Sequence, residues 1–284
     1  MMQWLILIGL LLLPGSGWAA KVQDITTAGG FRLWLVEEHS LPLIAANVSF
    51  KQAGTAYDTP DKAGLTNMVT ALLMEGAGEY SSSHFNQRLE EFAIRLSSGA
   101  DDEVVGVSLE TLSSHKDIAF SLLADMLIRP RFDSDAIERV RSQALSVLKE
   151  QEESPYYKLA TGWATAAFGT HPYANLPLGS ADSIRSLSAD DFHAFRRTFL
   201  TRDQIVISLA GDINAAEASA LIDRIFAELP HAYGEHPILP ALEWKDVSTP
   251  VHIHHDTPQT LVMFGLPGLL RHDPDYLTAY TLDY

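Results

Sequence analysis

Two β-rich runs, residues 31–38 and 43–51, are parted only by Ser40-Leu41-Pro42, and a loop over 54–62 then leads into an apolar run over 64–74. The first pair is rich in β-branched and aromatic residues and too closely joined for a crossover, which predicts adjacent strands followed by a helix. The same order returns at the far end of the chain. Residues 251–256 and 259–266 read as two strands, and 273–284 opens a helix. A repeated order of strand, turn, strand, loop, helix implies two copies of one unit, the second only begun within this sequence. An unfinished sheet cannot offset its ordering entropy, so this tail is expected to be poorly held.

Between these ends the pattern is mixed. Ser81-Ser82-Ser83 offers caps for a helix reaching about residue 96. Residues 97–100 lead into a strand pair centred on 104–112. Helices follow over 115–128 and 134–153, broken at Arg129-Pro130 because proline restricts the residue before it. A further helix runs from Pro155 to about residue 168. A loop, His171-Pro172-Tyr173, follows it. Ser188 caps a helix through residue 199, residues 204–210 form a strand, and Gly211-Asp212 turns into a last helix ending near 229. Strands and helices without regular βαβ alternation define the α+β class, an antiparallel sheet packed with helices. The expected organisation is a unit over 24–230, a linker over 231–248 whose first ten residues hold three prolines or glycines, and the begun second unit over 249–284.

Residues 1–19 read as a signal peptide. An apolar run over 4–13 is followed by Pro14 and small residues, with cleavage after Ala19 or after Ala20, or retention as an anchor. The run is too short for a comfortable membrane span, so no stable span is expected after cleavage. Export to the periplasm follows as an expectation. The chain has no cysteine, which excludes disulfides, thiolate zinc sites and a lipid-bearing cysteine. Apolar residues make up 46%, enough for a sizeable core. The formal net charge of −16 would repel phosphates and disfavours nucleic acid. It leaves an acidic wall for basic peptides, or a plain solvated surface. No Gly-x-Ser-x-Gly, phosphate-cradling loop or dinucleotide fingerprint is present.

The helix over 64–74 resembles the zinc helix of the insulinase-like (inverzincin, M16) peptidases. Active members carry His-x-x-Glu-His there, two histidines one turn apart to hold zinc and a Glu to polarise its water. Here those positions read Asn67, Thr70 and Ala71. An amide is a poor zinc donor, a threonine hydroxyl is no general base near neutral pH, and alanine has no donor atom. The family's third ligand, a Glu on a later helix, falls at Ser146 or Val147, and neither binds zinc. Other motifs resemble the same family in order. These are Gly54-x-x-Tyr57-Asp58 with Gly64-Leu65, Arg129-Pro130-x-Phe132, His171-Pro172-Tyr173 with Leu178-Gly179, Gly211-Asp212, and Gln259 with Gly265-x-Pro267-Gly268 and Asp273-x-Asp275.

The resemblance implies paired α+β units closing around a peptide chamber, with substrate added to a sheet edge. It implies a non-catalytic subunit whose partner, an active M16 subunit, carries the zinc, and no cofactor in this chain. Ser98, Gly99 and Ala100 precede the strand that resembles the family's substrate-pairing edge. Two alternatives stand beside this. His252 and His254 would share one face of a strand and form a weak metal pair, making the chain a peptide or metal binder. Or the chain is a peptidase acting through an unrecognised site.

Overall fold

The computed structural model describes residues 21–232, 236–243, 249–256 and 258–282. The expected signal peptide lies outside them. Eight strands form, β1 (Gln23–Thr26), β2 (Arg32–Glu37), β3 (Leu43–Lys51), β4 (Gly76–Ala77), β5 (Tyr80–Ser81), β6 (Arg95–Ala100), β7 (Val104–Leu112) and β8 (Ile205–Gly211). The helices are α1 (Leu65–Leu73), α2 (Ser82–Glu91), α3 (Lys116–Ile128), α4 (Ser134–Glu153), α5 (Pro155–Phe168), α6 (Ala181–Ser186), α7 (Ala189–Phe199), α8 (Ala215–Ile225) and α9 (Tyr276–Leu282). Six strands make one sheet in the order β1-β2-β8-β3-β7-β6, antiparallel throughout except that β8 runs parallel to β2. This is the α+β architecture expected.

Strand alternation decides which face is buried. On β3, Ile44, Ala46, Val48 and Phe50 point into the core, while Leu43, Ala45 and Asn47 are exposed. Pairing carries this across the sheet, because Val48 lies opposite Val107 on one side and Ile207 on the other. Burying a side chain such as Phe50 contributes about 2–3 kcal/mol. Helix α3 packs on β7 and α8 on β2, while α1 packs on β6, α4 and α7. On the other face, Trp34, Ala45 and Asn47 are exposed among the described residues.

Helix α1 follows from its own sequence. Met68, Val69, Leu72 and Leu73 recur at helical spacing and are all buried. Gly64 precedes it at φ +90°, and a Cβ there would come within 2.8 Å of the Leu178 carbonyl oxygen, so glycine is required. Gly76, at φ +115°, follows its last turn.

Two expectations are corrected. Helix α2 ends at Glu91, well before residue 96, because Ala93 adopts φ +50° and turns the chain into β6. Residues 251–256 and 259–266 form no strand. Their alternation suits a strand, yet a strand needs a ladder partner, and none is present among the described residues. The stretch lies instead against α5, with Ile253 over Gly162 and Gly265 over Trp163. No helix of the described residues is long and apolar enough to cross a membrane.

Candidate functional site

The three altered positions of α1 are put to structural use. The Asn67 amide donates to the Pro177 carbonyl at 2.6 Å. The Thr70 hydroxyl, buried, donates back to the Asn67 carbonyl at 3.0 Å. Ala71 is exposed. On α4, which packs against α1, Ser146 and Val147 are both exposed. This set does not fit zinc. Its one amide nitrogen is engaged as a donor, its hydroxyl is bonded inward, and the rest have no strong donor. No catalytic step can be routed through a metal held by these residues.

The helix start is held by a carboxyl that sequence reasoning noted only as part of a motif. Asp58 is buried, and it accepts from the Gly64 and Thr66 amides at 3.1 and 3.2 Å and from the Thr66 hydroxyl at 2.6 Å. Burial pushes its pKa up to about 6, against the pull of those donors.

Ser98, Gly99 and Ala100 lie within β6 itself, not ahead of a strand, which corrects the reading from sequence. Among the described residues strand β6 pairs only with β7 and closes one margin of the sheet, and no described strand pairs with its other edge, a template for an added strand. The Ser98 hydroxyl donates to the Thr70 carbonyl at 2.6 Å, tying the edge to α1. Ser97 and Gly99 turn the other way, onto an open hollow of about 470 Å³ shared with Asn47, Ser49, Gly106 and Ser108. A Cβ added at Gly99 or Gly106 would meet nothing within 4 Å.

The turn beyond β6 is clamped as well. The Ala53, Thr55 and Ala56 amides donate to the carbonyls of Glu103, Asp101 and Asp102 at 2.9–3.0 Å. The Tyr173 hydroxyl donates to the Glu103 carboxylate in a short bond, which with burial pushes the phenol pKa up to about 12. His171, in the same loop, is a structural residue. Its Nδ1 accepts from the Tyr173 amide at 3.2 Å and its Nε2 donates to the Pro240 carbonyl at 3.0 Å. Loop, helix and edge strand therefore form one braced unit. None of the three ties across it is visible in sequence, because each depends on residues far apart in the chain.

His252 and His254 are exposed on the unpaired segment, so the shared strand face expected of them does not exist. His255, beside them, lies 3.5 Å from the Lys158 ammonium. The described residues contain no group of three or more His, Asp or Glu that could hold a metal ion.

The small-residue margin of β6 is braced to a helix whose positions Asn67, Thr70 and Ala71 offer no metal ligand set. Sequence models of two families match the chain: the insulinase family (peptidase family M16) over residues 43–178, and the peptidase M16 inactive domain over 186–284. The chain belongs to the M16 family. A non-peptidase homologue from Helicobacter pylori, YmxG, is 29% identical over 83% of this chain and 54% of its own length. A probable mitochondrial-processing peptidase β subunit from Schizosaccharomyces pombe is 24% identical over 92% of this chain and 58% of its own. Among solved structures, a peptidase M16 inactive domain from Pseudomonas fluorescens superposes with a TM-score of 0.72 at 26% identity, covering 78% of this chain and 55% of that one. The chain thus spans about half the length of these relatives. The altered ligand positions, a relative named as a non-peptidase homologue and a solved M16 inactive domain are consistent with a chain that is not catalytic on its own.

Proposed function

We propose that the chain is a non-catalytic M16 subunit that pairs with an active zinc peptidase and helps hold extended peptides in the periplasm. The observation that carries this is the open edge of β6, braced by the Ser98–Thr70 bond on a helix without metal ligands. Peptide main chain adds to such an edge by ladder hydrogen bonds, whatever its sequence, and side chains alternate between the α1 side and the hollow. The zinc, and the hydrolysis, belong to the partner. The N-terminal apolar run over 4–13 supports export.

The test is peptidase activity on an unfolded peptide, with zinc content, for this chain alone and mixed with an M16 homologue whose His-x-x-Glu-His is intact. No activity alone, and a rate on mixing above the homologue's own, is expected. Chelator-sensitive hydrolysis by this chain alone, or no gain on mixing, would overturn the reading.

A further inference from the structure

Helix α1 offers one oriented acceptor that no described residue uses. The Pro177 carbonyl can only accept, so the Asn67 side chain must turn its NH2 toward it, which it does at 2.6 Å. That bond fixes the carboxamide and aims Oδ1 the other way, where it has no hydrogen-bond partner among the described residues. Asn67 is half-buried, and Ala71, one turn on along the same side of the helix, is exposed. The chain carries no charged residue between Lys62 and Glu75. This side of α1 is therefore a neutral wall with a methyl floor and a single fixed acceptor. It stands beside the open edge. The Ser98 hydroxyl reaches the Thr70 carbonyl at 2.6 Å, so Ser98 marks the point of β6 level with this part of the helix. A residue on an added strand directly opposite Ser98 carries its side chain on the same face, about 5 Å away, and so beside Asn67 and Ala71.

We propose that the face of α1 at Asn67 and Ala71 is a side-chain pocket of the peptide edge, and that it selects an uncharged side chain bearing an N–H, glutamine above others. This rests on the edge reading given above. The glutamine carboxamide donates to the Asn67 Oδ1 while its methylenes lie over Ala71. A carboxylate would set acceptor against acceptor on a chain of net charge −16. A plain apolar side chain would cover Oδ1 and leave it without a partner. A cation would give up water against a wall that offers no counter-charge. Asn67 and Ala71 thus act as specificity-determining residues, Asn67 through its aimed oxygen and Ala71 by leaving room.

The test uses fluorescent host peptides of alternating Thr and Ala with one central residue, Gln, Glu, Leu or Lys, and reads their affinity for the full chain by polarisation. The Gln peptide should bind on the order of tenfold more tightly than the Glu or Leu peptide. Ala71→Asp leaves the Asn67–Pro177 bond in place and should move the preference to Lys. Ala71→Trp should flatten the ranking while the host still binds. A variant that merely loosened the fold would weaken all four peptides alike, so the change of rank is the readout. A benzophenone at the central position should attach within residues 67–71. Equal affinities for the four peptides, a ranking unchanged by Ala71→Asp, or attachment elsewhere overturns the proposal. A host with N-methylated main chain separates this from the function proposed above. If methylation removes binding but the four peptides rank equally, the edge reading stands and the pocket falls. If no host binds at all, both fall.

Discussion

Replacing Asp58 by Asn tests how the start of α1 is held. The carboxyl is buried against two backbone amides and the Thr66 hydroxyl, and its pKa is raised from 3.8 to about 6. A raised acid binds a proton in the folded state at pH values where the unfolded chain has released it. Stability therefore falls as pH rises through that window, and the loss is complete above the folded pKa. The whole shift corresponds to about 3 kcal/mol, of which about 2 kcal/mol falls between about pH 4.5 and about pH 7.5. Asn has nearly the same shape and does not titrate. Urea unfolding of both proteins at these two pH values, followed by circular dichroism, isolates the effect. The variant should gain about 2 kcal/mol relative to the parent on going to the higher pH, a midpoint change of about 1 M urea. A gap that stays flat, or moves in the parent's favour, would refute the reasoning. It would mean that the amide donors and the positive helix end outweigh burial, and that the carboxylate is the favoured form.

Three further outcomes follow from the brace and the core. Ser98→Ala should cost about 1 kcal/mol and speed amide exchange along Arg95–Ala100, since the bond to Thr70 is what fixes the edge. Tyr173→Phe should remove the phenol that titrates only at about pH 12, seen by ultraviolet difference titration, and loosen the turn at Glu103 to proteolysis. Phe120→Ala, at a fully buried position of α3, should cost about 3–5 kcal/mol by chemical denaturation.

The parts of the fold legible in sequence are those whose side chains meet a strong local rule. Strands β2, β3, β7 and β8 alternate or run apolar, and α1, α4 and α7 repeat at helical spacing with a cap or a proline at an end. Strand β6 was hidden. Its sequence, Arg-Leu-Ser-Ser-Gly-Ala, has weak strand preference, and the helix before it is ended by Ala93 in a left-handed conformation where glycine is the usual signal. Residues 251–256 and 259–266 failed the other way. Their pattern is that of a strand, but pairing is a property of two segments and the second is missing among the described residues. At the candidate site the altered positions Asn67, Thr70 and Ala71 could be read directly. What those side chains do instead, holding the Pro177 loop and the helix backbone, could not, because a carbonyl partner more than a hundred residues away leaves no trace in a local pattern.

Strand β8 enters the sheet last in the chain and sits in its middle, parallel to β2 and antiparallel to β3. As residues emerge from a ribosome, β2 and β3 are made early, yet neither can be hydrogen-bonded on both edges until residues 205–211 arrive. Until then β1-β2 and β3-β7-β6 are two half-sheets, each with an unpaired backbone edge where β8 will sit. Such a chain should fold slowly for its size, since β8 must pair with strands made far earlier in the chain. It should also lean on holding factors during synthesis. A truncation just before Ile205 would be more harmful than removal of many residues after α8.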